Sequence, residues 1–75
     1  MPTLHREANW KLTIYKDHNP PHFHVIVSDG SEALIAISDL RLLDGAVPAK
    51  VLKAARAWAA AHKQELHSVW ERCNR

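Results

Sequence analysis

One run, Asp17-His18-Asn19-Pro20-Pro21-His22-Phe23-His24, constrains this chain more than any other, and it holds three of the six histidines. Pro20 and Pro21 each fix φ at about −65°, supply no N–H and push the residue before them out of the helical region. Residues 19–21 must therefore form an extended corner. Asp17 and Asn19 can hydrogen-bond backbone a residue or two onward, which fixes the entrance to a turn. From His22 the alternation of a strand resumes, so His22 and His24 lie two residues apart on one face, with His18 on the approach.

Seventy-five residues make one small domain, 1–75, and a chain of that size buries about 60% of its unfolded surface, which leaves little stability to spare. Cys73 is the single cysteine, so an intrachain disulfide is excluded and a reducing compartment is expected. Residues 1–3 open no charged-then-apolar leader, and the apolar runs at 33–37 and 57–61 fall well short of the roughly 18 residues of a membrane span. The expectation is a soluble, cytoplasmic protein with no membrane partner. A net charge of +2 permits a polyanion such as RNA as partner without demanding one.

Taken in order, residues 1–9 have no firm period, and Leu4 could open a short edge strand or pack as an arm. Residues 10–16 alternate, with Trp10, Leu12 and Ile14 on one face and Lys11, Thr13 and Tyr15 on the other. After the corner, Phe23, Val25 and Val27 form the core face of the next strand, while His22, His24 and Ile26 point the other way. Asp29-Gly30 is a hairpin signal. A third strand is expected over 32–38, and residues 40–43 form a fourth or a loop end, closed by Asp44 and Gly45. Pro48 suits the first turn of a helix, and from there to about Cys73 there is neither Gly nor Pro, so one long helix follows. Its apolar stripe is Val51, Ala55, Trp58, His62, Leu66, Val69 and Cys73, widened by Leu52, Ala59 and Trp70. The fold expected is α+β: a small curled antiparallel sheet of three to four strands packed against one long C-terminal helix.

Length then suggests a partner. A helix of about 26 residues is ~39 Å long, whereas strands of roughly six residues span about 20 Å. The last turns, with Val69, Trp70 and Cys73, should overhang the sheet as a partner-binding surface, for a second copy or another protein. An arm folding back over them is the alternative.

The run at 17–24, the opening Met-Pro-Thr, Ala33-x-Ile35, Leu43-x-Gly45-x-x-Pro48 and Trp58-x-x-x-His62-x-x-x-Leu66-x-x-x-Trp70 together resemble the small bacterial domain-of-unknown-function family numbered 4160. The likeness covers most of the chain, and the proline and histidine corner is its specific part. Members sit beside a second small family, numbered 2442, in pairs that look like toxin and antitoxin modules. The resemblance therefore implies a small antitoxin-like partner from an adjacent gene. It carries no catalytic residue with it. His5, Glu7 and Ala8 depart from the apolar or aromatic residues usual near the start.

Two chemistries suit the histidines. In metal-independent RNA cleavage, His22 and His24 would serve as general base and general acid, with Lys16, Lys11 or Arg41 stabilising the phosphorane. In a metal site, His18, His22 and His24 would bind zinc, with Asp17 completing the set. The plainer reading has these rings filling a half-exposed sheet face beside the structural residues Pro20 and Pro21. His62, between Trp58 and Leu66, reads as a neutral structural ring with one partner, and Trp58 reads as core. Lys50, Lys53 and Arg56 read as a solvated helix face. The overall expectation is an interaction module, toxin-like, with ribonuclease and metal-binding activities as alternatives and no required cofactor.

Overall fold

Alternation in the first half of the chain becomes an antiparallel sheet in which every strand pairs with its sequence neighbour. The computed structural model describes residues 3–15 and 20–74. Lys16, Asp17, His18 and Asn19 lie outside the described residues. The strands are β1 (Thr3–Arg6), β2 (Trp10–Thr13), β3 (His22–Val27), β4 (Glu32–Ala36) and β5 (Leu42–Ala46), in the order β1-β2-β3-β4-β5. Two helices follow, α1 (Ala49–Ala61) and α2 (Lys63–Cys73). The α+β class stands as expected. The count of three to four strands and the single long helix do not.

The additional strand is β1. Thr3-Leu4-His5-Arg6 has one aliphatic residue and so no readable period, yet it pairs with β2 across a bulge. His5 lies opposite Leu12 on the core side, its ring 5.4 Å from Trp10 and 5.0 Å from Trp58. An imidazole thus occupies a place where periodicity looks for an aliphatic side chain. β4 ends at Ala36, not at Ser38. Leu40 takes a left-handed φ of 61°, its N–H bonding the Ala36 carbonyl, and so closes the turn into β5. Asp44 and Gly45 lie inside β5 and do not close it. Gly45 has φ +79°, and any Cβ there would collide with the Glu32 carbonyl on β4, so the strand continues through a conformation that glycine alone adopts easily.

The core follows the alternation. Trp10, Leu12, Ile14, Phe23, Val25, Val27, Ile35 and Ile37 are buried beneath Val51, Ala55, Ala59, Leu66, Val69 and Trp70. The helical stripe ends in two segments because His62 leaves the helix at φ −130°, ψ 25°. Its N–H bonds Ala59 and its ring Nδ1 donates to the Trp58 carbonyl at 2.7 Å. A side chain has taken the acceptor that a continuing helix would give to the backbone N–H. Leu66 N–H then bonds the His62 carbonyl and starts α2.

This break removes the overhang. The longest principal extent of the molecule is 32 Å, shorter than the ~39 Å of an unbroken 26-residue rod. Val69 and Trp70 are each only 5% exposed, and Cys73 is half-buried against the core. They complete the domain's own core and offer no projecting surface. Nor is the basic side of the helices wholly solvated: Arg56 Nε donates to the Leu40 carbonyl at 2.9 Å and Lys63 Nζ to the Ser38 carbonyl at 2.7 Å, tying both helices to the β4–β5 turn.

Candidate functional site

The proline corner delivers β3 as its composition demands. Pro21 offers its carbonyl to Ile37 N–H at 3.1 Å, fastening the corner to the end of β4, and Pro20 offers its carbonyl to the His22 ring, whose Nδ1 donates at 2.8 Å. Both prolines act structurally, as acceptors on a backbone that has no N–H to give. His22 sits 5% exposed with its ring 5.1 Å from Trp70. His24 follows two residues on, and the two ring centroids are 5.2 Å apart.

His24 has a partner that the linear pattern conceals. Its Nδ1 donates to Glu32 Oε2 at 2.6 Å, and its ring meets Tyr15 edge-on at 4.6 Å. In the register of β3 and β4, His24 faces Leu34 and Ile26 faces Glu32. Glu32 is therefore the diagonal neighbour on the same face, a position within reach of a long side chain. The three-residue turn Ser28-Asp29-Gly30 fixes that register, with Gly30 at φ +95° and Asp29 Oδ1 accepting from Ser31 N–H. A strict count back from the Asp-Gly turn would have found Glu32.

These bonds fix the tautomers. A carbonyl can only accept, so Nδ1 of His22 carries a proton, and the carboxylate imposes the same on His24. In the neutral rings the basic lone pair is then on Nε2, where any proton transfer or ligation would take place. Glu32 orients the His24 ring, as carboxylates do behind catalytic and metal-bound histidines. The pair is less open than an outward sheet face suggests: the His24 side chain is 12% exposed, while that of Glu32 is 45% exposed. Thr13, Tyr15 and Trp70 crowd the rings, so solvent reaches the cluster chiefly at the carboxylate.

The remaining candidates divide. Lys11 shares this face one pair along, opposite Ile26, and Arg41 lies beyond β4 beside Ala36. Lys16 and His18 lie outside the described residues. Among the described residues no group of three or more His, Cys, Asp or Glu side chains is placed to hold a metal, so the zinc reading depends on His18. His62 and Trp58 are structural: their rings stack at 4.0 Å and 12°, and His5 covers Trp58 at 5.0 Å and 24°, with His5 Nε2 against Glu7 Oε2 at 2.5 Å.

Fold and site together define a small α+β domain whose open five-stranded meander, backed by two helices, carries a histidine pair at a proline corner, one ring held by a carbonyl and the other by a carboxylate. The family model described as "Domain of unknown function (DUF4160)" matches residues 9–71. The chain belongs to that family. No curated protein and no solved structure matches it. Among the described residues no helix is long and apolar enough to cross a membrane.

Proposed function

We propose that the chain is an interaction module, the toxin-like member of a bacterial two-gene toxin-antitoxin pair, working in the cytoplasm and held by a small antitoxin-like partner along β5. The observation that carries this reading is the state of that strand. β5 ends an open sheet, four of its five residues are exposed, and Leu42, at 37%, is a large hydrophobic side chain left in water. An unpaired strand edge presents backbone donors and acceptors to an incoming strand, and an exposed leucine beside it supplies a pocket-filling contact. With Val69 and Trp70 buried, the edge replaces the helix end as the docking surface. Copurification with the product of the adjacent gene tests it. The complex should form with the wild-type chain and be lost in Leu42→Lys, whose fold is checked by circular dichroism. A complex that survives that charge would remove the edge from the interface, and a concentration-dependent dimer of the chain alone would identify the partner as a second copy.

A second reading, a metal-independent histidine ribonuclease, is favoured by the His24–Glu32 hydrogen bond and the closeness of His22. One imidazole would take the proton of a 2′-hydroxyl and the other return one to the leaving 5′-oxygen. Growth arrest on expression, abolished by His22→Ala with His24→Ala, supports it. Undiminished arrest by the folded double variant would remove it.

A further inference from the structure

At the far end of β3, about 13 Å along the strand from His22, lies a solvent-open cleft of about 230 Å³ between the β1–β2 turn and Ser28. Register places Arg6 directly opposite Lys11. Two cations facing each other across paired strands repel and weaken the pairing. Among the described residues neither has an ion-pair partner. The carboxylates adjacent in sequence or register have partners elsewhere, Glu7 at His5 Nε2, Asp29 at Ser31 N–H and Glu32 at His24 Nδ1. Ile26 shares the face of Lys11, and Trp10 and Val27, whose side chains belong to the core face, also line the cleft. Glu7, Asn9 and Ser28 line it as well, the last two tied by the backbone bond from Ser28 N–H to the Asn9 carbonyl at 2.8 Å.

We infer that this cleft binds the phosphate of a nucleoside monophosphate unit, with Arg6 and Lys11 clasping the phosphate and the sugar and base lying over Ile26 toward Asn9 and Ser28. An anion between the two cations converts their repulsion into two attractions, and the fork of a guanidinium beside a lysine charge suits phosphate oxygens. The apolar surface of Ile26 beside Lys11 favours an organic phosphate over a bare ion. The proposal shares Lys11 with the ribonuclease reading but uses neither the histidines nor the β5 edge, and its readout is binding at this cleft, so its failure and theirs are distinguishable.

The test is NMR titration of the full chain, following the Trp10 indole N–H and the backbone amides of Asn9 and Ser28, with inorganic phosphate, a set of nucleoside monophosphates and a short oligoribonucleotide. Saturable shifts confined to this cleft are expected, at least tenfold tighter for a monophosphate than for inorganic phosphate. Binding should weaken tenfold or more in Arg6→Ala and in Lys11→Ala and survive in Lys11→Arg, with melting temperatures as the check on folding. If the oligoribonucleotide binds the cleft as tightly as the free monophosphate, the natural source is an RNA end; if only the free monophosphate binds, it is a small metabolite. Equal affinity for inorganic phosphate, shifts scattered equally around Lys50 and Lys53, or unchanged binding in both alanine variants would overturn the proposal.

Discussion

The molecule uses histidine in two opposite ways. At the helix break, His62 and His5 present ring faces to Trp58, one on each side, in near-parallel stacks. At the proline corner, His22 and His24 meet each other, Trp70 and Tyr15 at tilted or perpendicular angles. Both clusters satisfy Nδ1, His22 and His62 through backbone carbonyls and His24 through a carboxylate. The difference lies in what the rings are for. In the stack the flat faces do the packing and the imidazole replaces an aliphatic side chain. At the corner the ring edges meet one another, and the carboxylate there holds a ring at Nδ1, whereas Glu7 in the stack meets His5 at Nε2.

If that contrast is right, the stack should matter to stability and the corner should not matter to the same degree. The largest effect is expected for Trp58→Ala, which removes the shared centre of the stack and should cost about 3 kcal/mol in urea denaturation. A cost no greater than that of an exposed substitution would erase the distinction. His62→Ala removes one hydrogen bond at the helix break and should cost about 1 kcal/mol, with His62→Asn, whose amide can still reach the Trp58 carbonyl, recovering part of it. Glu32→Ala comes next: the pair it breaks is half exposed on the acidic side, so the loss should be about 0.5 kcal/mol or less. The same variant should move the His24 tautomer, read by 15N chemical shifts of the ring, away from its Nδ1–H form. An unchanged tautomer would mean that Glu32 does not orient the ring.

The smallest effect lies outside both clusters and sets the acid baseline against which histidine titrations are read. Hydrogen bonds from the Ser31 side chain and then from its backbone N–H hold the Asp29 carboxyl below its usual 3.8. A depressed folded-state value stabilises the fold above the unfolded value and loses that contribution as pH falls through the folded one. A slight loss below about pH 4 is therefore expected, reduced in Ser31→Ala and measured by thermal melts across pH. A loss of equal size in that variant would assign the acid limb to other carboxylates.

Much of this was legible in advance. The buried faces of β2, β3 and β4 follow from residues two apart, and the buried positions of α1 and α2 follow from steps of three and four. His22 and His24 share a face because two prolines leave the chain no other exit from the corner. Glu32 was harder to find, because its contact with His24 depends on a cross-strand diagonal. β1 was hidden because Leu4 is its one aliphatic residue and an imidazole stands opposite Leu12, and the burial of Trp70 was hidden by the assumption of a straight helix.

The amino-acid order alone determined the stiff corner, the alternating strands and the amphipathic second half, since each is set by sterics and periodicity within a few residues. Only the tertiary structure decided that His5 would cover the far-off Trp58, that the returning segment would lay Trp70 against His22, and that Glu32 would stand behind His24. Those choices are made by groups brought together from distant parts of the chain, where the stable arrangement depends on the neighbours each side chain finds once the sheet and helices have closed on one another.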